Sequence, residues 1–298
     1  MIIRDKPTFV QLFFALQGSV LPRIAPRILM LTGLAAGLTW ADRAAFLPLA
    51  HPSAAPFAIF GVALSMFLGF RNNAAYDRWW EGRKLWGQLI ADLRALGRES
   101  EVFITAPERR IRILKAALAF LHLHRANLRH VPDDTKARDL TGEDFSSAAH
   151  PPCAALDRVG TELAAARNAG ETDGFGARAL AERLGSITLA QAGCERIATT
   201  PLPYVYSLLI FRTTYLYCLL LPLGLVDQAG WLTPVFVAVV AYVFLGLAEV
   251  TEELSEPFGT SVNGLPLDAM CRVVEISLAP RLGQEVPAAL PPENYHLS

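Results

Sequence analysis

Charge is scarce in this sequence. Only 18% of its 298 residues are Asp, Glu, Lys or Arg, against about 25% in an ordinary soluble domain. With 52% hydrophobic residues, the balance tilts toward a bilayer. The formal net charge of −1 offers no basic excess, so nucleic acid is not an expected partner. The four cysteines, Cys153, Cys194, Cys218 and Cys271, are scattered without CxxC spacing. They read as structural thiols rather than a zinc site or a disulfide framework. GxGxxG, a phosphate-binding loop, GxSxG and HExxH are all missing, so no enzyme, cofactor or metal is expected. His122 and His124 stand two apart, on different faces of a helix, and with Arg125 and His130 they read as a solvated helix end. No alternating strand pattern of useful length occurs.

What the sequence does have is long uncharged runs. Ile28–Ala41, Pro52–Phe70 and Gln228–Ala248 carry no charge, and Arg212 is the only charge between Arg196 and Asp227. About 20 apolar residues cross a bilayer as a helix. The first run is short but can extend back past Arg27 and Arg23, whose side chains can snorkel. Four membrane helices are therefore expected, near 24–42, 52–70, 201–226 and 229–250. A signal peptide is discounted, because the preceding segment is long, contains Asp5 and Pro7, and resembles an amphipathic helix through Phe9, Leu12, Phe13 and Leu16. The stretch Arg71–Arg196 holds 19 of the 27 Lys and Arg, which places it and both termini in the cytoplasm by the positive-inside rule.

That stretch reads as helical too. Leu85, Leu89, Leu93 and Leu96 recur at helical spacing, as do Ile111, Leu114, Leu118 and Leu121, and then Leu180, Leu184 and Ile187. The proline-flanked segment 131–152 reads as a surface loop. Thr200, Pro201 and Pro203 mark the return to the membrane. After a turn-rich segment, Asp268 is expected to cap a short helix through Leu278. The chain is all-α, a single unit over 1–298 with a cytosolic helical region near 71–200 and 255–298.

No proline occurs between Pro56 and Pro107, so the second membrane helix can continue into the cytosol. Gly61, Ser65 and Gly69 form a small-residue stripe that permits close helix approach. Beside it run Val62, Met66 and Phe70. That row faces lipid or a neighbouring helix, or, if several subunits surround an axis, it forms stacked apolar rings that gate by dewetting. Asn73, Asp77, Trp80, Glu81 and Lys84 continue near the same face. Asp77 and Glu81 would offer acidic rings to cations, unless Lys84 neutralises Glu81 across i,i+3. Trp79 and Trp80 suit the headgroup level. Glu249, Glu252, Glu253 and Glu256 share a face and are expected to pair with Arg71, Arg78 and Arg83, or to bind cations. Arg212 is expected to pair with Glu249.

The segments "FLGFRNNAAYDRWWEGRKLWG" (Phe67–Gly87), "CERIATTPLPYVYSLLIFRTTYLYCLLLPLGL" (Cys194–Leu225) and "EPFG" (Glu256–Gly259) resemble the bacterial bestrophin family, over roughly Asp5 to Leu278. The resemblance implies a homopentameric ion channel with four membrane helices per subunit and one axial pore. Its neck maps onto Val62, Met66 and Phe70. Its cytosolic aperture, on the helix before the Glu195-Arg196-Ile197 motif, maps onto Leu180, with Leu184 competing. Animal bestrophins are calcium-activated chloride channels, but no acidic run follows Gly259 here, so calcium activation is not carried over. The bacterial members imply passive conduction of small monovalent cations across the inner membrane. An anion channel of the same architecture and a non-conducting membrane interaction protein are the alternatives.

Overall fold

The computed structural model describes residues 1–3, 8–46, 52–132 and 135–298. Asp5 and Pro7, on which the signal-peptide argument leaned, lie outside them. The described residues form helices and two short 3-10 turns; their only β pairing is two isolated bridges, Ile2 with His296 and Glu293 with His296. In chain order the helices are α1 (Phe9–Phe13), α2 (Leu21–Arg43), α3 (Ala55–Phe103), α4 (Pro107–Arg129), α5 (Lys136–Thr141), α6 (Pro151–Asn168), α7 (Gly174–Thr199), α8 (Tyr204–Ala229), α9 (Thr233–Ser255) and α10 (Leu267–Leu278). Among the described residues three stretches are long and apolar enough to cross a membrane: Leu21–Arg43, Ala55–Phe103 and Tyr204–Ser255. The last comprises α8, the 3-10 turn Gly230–Leu232 and α9.

The chain divides into two compact units. The apolar unit takes the described residues of Asp5–Trp79 and Pro201–Glu256. In it α2, α8 and α9 pack on one another, around a core including Leu31, Leu68, Leu221, Val237 and Phe244. Close approach is built into two glycines. A Cβ on Gly61 would lie 2.6 Å from Tyr217 Oη, and one on Gly224 would lie 2.4 Å from the Phe57 ring. Gly61 is thus the member of the small-residue stripe that a neighbouring helix uses, while Gly69 meets nothing within 4 Å. The amphipathic N-terminal segment becomes the single turn α1, held by a Thr8–Gln11 capping box.

The polar unit takes the described residues of Met1–Arg4, Trp80–Thr200 and Pro257–Ser298. Here α4 packs against α5, α6, α7 and α10. The heptad-like leucines behave as their spacing requires: Leu89, Leu93, Leu96, Leu114, Leu118 and Leu121 are buried. The segment expected to be a loop contains α5, whose Ala137 is buried. That helix carries Asp139 and Arg138 and has no apolar periodicity, so its stability comes from packing on α4. The helix ending at Leu278 forms as expected, but Asp268 does not cap it. It instead pairs with Arg125 and Arg129 of α4. His122 and His124 are also corrected, since both are buried in mid-helix rather than solvated. His122 pairs with Glu275 of α10 and His124 stacks on Trp86 and Phe120, two different neighbours that i,i+2 spacing does not reveal. The chain ends meet in this unit, Leu297 N donating to Met1 O at 2.9 Å.

Candidate functional site, an apolar row on a membrane-length helix

α3 forms because its first half is an apolar run whose one proline, Pro56, sits in the first turn where no intrahelical N–H is needed, and its second half is rich in helix formers such as Leu, Arg and Glu. Val62, Met66 and Phe70 recur every four residues, and therefore lie along one face. In the single chain they are 70%, 55% and 63% exposed. Their neighbours Leu64 and Leu68, by contrast, point into the core of the apolar unit. The helix has thus already used another face for its own packing. A stripe of three large apolar side chains is left exposed among the described residues.

Asn73 and Asp77 are exposed on α3 just beyond that stripe. Glu81, in the polar unit, is half-buried and pairs with Arg196 of α7, not with Lys84, because a guanidinium on a packed neighbour offers a planar fork that a flexible lysine does not. Trp79 is half-buried, while Trp80 is exposed.

Leu180 is fully buried within the polar unit, so it lines no open surface of the chain. Leu184 is half-buried beside Gly160 of α6. On the same helix Leu189 is 76% exposed. Leu189 lies off the Leu180–Leu184–Ile187 stripe, a large apolar residue outside the core register six positions before Glu195.

The carboxylates ending α9 find arginines, as anticipated, but mostly different ones. Glu252 pairs with Arg71. Glu253 pairs with Arg23, and Glu249 lies 3.7 Å from Arg23 and 3.6 Å from Arg27. Arg78 donates to the Ser255 carbonyl. Arg212 is exposed on α8 and does not pair with Glu249. Because α2 packs on α9, its two early arginines reach the α9 end, a tertiary proximity invisible in the sequence. Among the described residues no group of three or more His, Cys, Asp or Glu side chains is placed to hold a metal ion.

Residues 1–280 match the family described as Bacterial/Fungal Bestrophin protein. The chain is 47% identical to a voltage-dependent anion channel-forming protein of Mesorhizobium japonicum, covering 100% of this chain and 97% of that one. It is 37% identical to the voltage-dependent anion channel-forming protein YneE of Escherichia coli K12, over 99% of each. Among solved structures it is similar to a bacterial bestrophin homolog from Klebsiella pneumoniae, with a TM-score of 0.82 and 33% identity over 88% of this chain and 99% of that one. An all-helical chain with membrane-length apolar helices, matched along nearly its whole length, belongs to the bestrophin family of ion channels.

Proposed function

We propose that copies of this chain, five by the family resemblance, surround one axial pore and pass small monovalent ions passively across a bacterial inner membrane. The observation that carries this reading is the row Val62, Met66 and Phe70, exposed along one face of α3 after the core has been built. Repeated around an axis, such a row makes stacked apolar rings. An ion entering them loses hydration without gaining a ligand, so the rings are both constriction and gate. The four helices α2, α3, α8 and α9 are read as the membrane helices, and both compact units serve one channel subunit. The termini hydrogen bond to one another, which supports placing both on the same, cytoplasmic, side. A second constriction is assigned to α7 at exposed Leu189 in place of buried Leu180.

Two points favour anions over the cation preference that the bacterial family resemblance implied. Relatives covering the whole chain carry the name of anion channel-forming proteins. Glu81, half of the expected acidic pair, is compensated by Arg196. Exposed Asp77 and Asn73 support the cation alternative. A membrane enzyme finds no support in a family of channel-forming proteins.

Reconstitution into planar bilayers under a KCl gradient decides the sign. A reversal potential near the chloride equilibrium value supports the anion reading, and one near the potassium value restores the cation reading. A correctly inserted oligomer that carries no current removes the channel altogether.

A further inference from the structure

A cavity of about 420 Å³ opens within the apolar unit, inside the range of roughly 300–1,000 Å³ usual for small-molecule sites. Its charged groups lie where apolar runs end: Arg27 early in α2, Arg71 immediately after Phe70, and Glu249 and Glu252 late in α9. Ser207 adds a hydroxyl from the start of α8. From Tyr204 to Thr214 the cavity follows α8 for about 15 Å at 1.5 Å per residue, along a wall that includes Phe211 and Leu245.

Two buried polar groups in this cavity lack partners. Arg71 donates from its Nη2 to Ser207 Oγ at 2.7 Å and to Glu252, yet its Nε has none. Thr214 is 1% exposed and its Oγ1 has none. Both atoms are shielded from solvent, so they add polarity to the lining without themselves offering contacts to a guest. Two guanidiniums and two carboxylates make the lining neutral in sum. A simple anion would meet Glu249 and Glu252, and a simple cation would meet Arg27 and Arg71. Arg71 already pairs with Glu252 and Arg27 with Glu249, and a guest carrying both charges can bridge these pairs without opposing a like charge.

We propose that this cavity holds a zwitterionic phospholipid with a primary-ammonium headgroup, of the phosphatidylethanolamine type. Its phosphate faces Arg27 and Arg71, its ammonium faces Glu249 and Glu252, and one acyl chain lies against Phe211 and Leu245. A primary ammonium donates hydrogen bonds to the carboxylates, as a lysine head does; a quaternary ammonium has none to donate. The inference rests on the apolar helices lying in a bilayer, but not on ion conduction.

Native mass spectrometry of the full-length oligomer tests it, after equilibration with equal amounts of phosphatidylethanolamine, phosphatidylcholine and phosphatidylglycerol of identical chains. Preferential retention of phosphatidylethanolamine on the wild-type protein is expected, a readout that needs no variant and no current. Glu249→Gln should reduce the ethanolamine-over-choline preference by about tenfold, the scale of one charge-assisted hydrogen bond. Arg27→Gln should weaken retention of all three lipids. Equal retention of ethanolamine and choline lipids, preference for phosphatidylglycerol, or no retained lipid because a second copy covers the cavity would each overturn the proposal. Displacement by soluble phosphoethanolamine at concentrations equal to the lipid would overturn the assignment to a membrane lipid.

Discussion

Glu162, at 4% exposure the most buried glutamate in the core of the polar unit, is surrounded by Arg109, Arg112 and Arg158 at 2.7, 3.0 and 3.1 Å. Burial would raise its carboxyl, but the hydrogen bonds from Arg109 and Arg112 outweigh that and hold it below the usual carboxylate range. A depressed folded-state value means its contribution is present above the unfolded pKa and is lost as pH falls through the folded one. Arg109 keeps Glu171 and Arg158 keeps Glu143 when this carboxylate is removed, and Arg112 is half exposed, so Glu162→Ala is expected to cost about 1–3 kcal/mol. Thermal melts of the purified protein, followed by helical circular dichroism, check this; Glu162→Gln should lose less. His124 behaves oppositely in charge. It is stacked on Trp86 and Phe120 with ring centroids 5.9 and 5.6 Å away, and Glu195 stands 3.9 Å off, beyond hydrogen-bond reach. Burial, assisted by His150, pushes its pKa down to about 3. The unfolded chain therefore takes up a proton near pH 6.5 that the folded one refuses, and stability falls on acidification below that value. Between pH 7 and 5.5 the loss is about 1 kcal/mol, and His124→Phe should remove it in urea titrations at the two pH values.

At the scale of elements, α3 and α8 depend on glycines where their side chains cross. The Phe57 ring leaves no room for a Cβ on Gly224, so Gly224→Val should overpack the crossing, at about 1–3 kcal/mol, and lower the thermal midpoint in detergent. The row Val62, Met66 and Phe70 presents the opposite case. Its side chains are exposed in the chain, so replacing all three by alanine opens no cavity in the core of the apolar unit. Folding should survive, while single-channel conductance rises through a wider, less apolar neck. Unchanged conductance from a folded triple variant would take the neck away from this row. Apolar periodicity made α3, α4 and α7 readable, since a helix that buries a stripe must repeat it. α5 escaped detection because six residues with little apolar pattern form a helix only where α4 supplies the other wall.

For the whole molecule the central expectation is an assembly. The proposed arrangement around an axis would cover the line of large side chains exposed along one face of α3. Light scattering corrected for detergent should give five copies; a stable monomer or dimer would leave the row facing lipid and remove the axial pore. Charge placement belongs to this scale as well. Arg71–Arg196 concentrates the basic residues, and the arginines there are largely spent on internal partners, Arg109 on Glu162 and Glu171, Arg183 on Asp92 and Glu99, Arg196 on Glu81. A positive-inside count orients the chain, but the net charge remaining in an ion path is set by which of these pairs close. Replacing Arg196 by glutamine frees Glu81 and should shift the reversal potential toward the potassium value, measured under the same gradient as for the wild type.

By itself the sequence determined where the apolar helices run, that Leu89, Leu93, Leu96, Leu114, Leu118 and Leu121 recur at core spacing, and that Val62, Met66 and Phe70 share a face. All of these follow from local periodicity and from the length a helix needs to cross hydrocarbon. Only the tertiary structure decided the partners. Glu81 turned to Arg196 rather than Lys84, Glu249 to Arg23 and Arg27 rather than Arg212, and Asp268 to Arg125 and Arg129 rather than to its own helix end. It also sent Leu180 inward and left Leu189 outside. Charged side chains are long and their partners lie on other helices. Their choice therefore depends on which helices pack together, and an i,i+3 or i,i+4 rule within one helix does not carry that information.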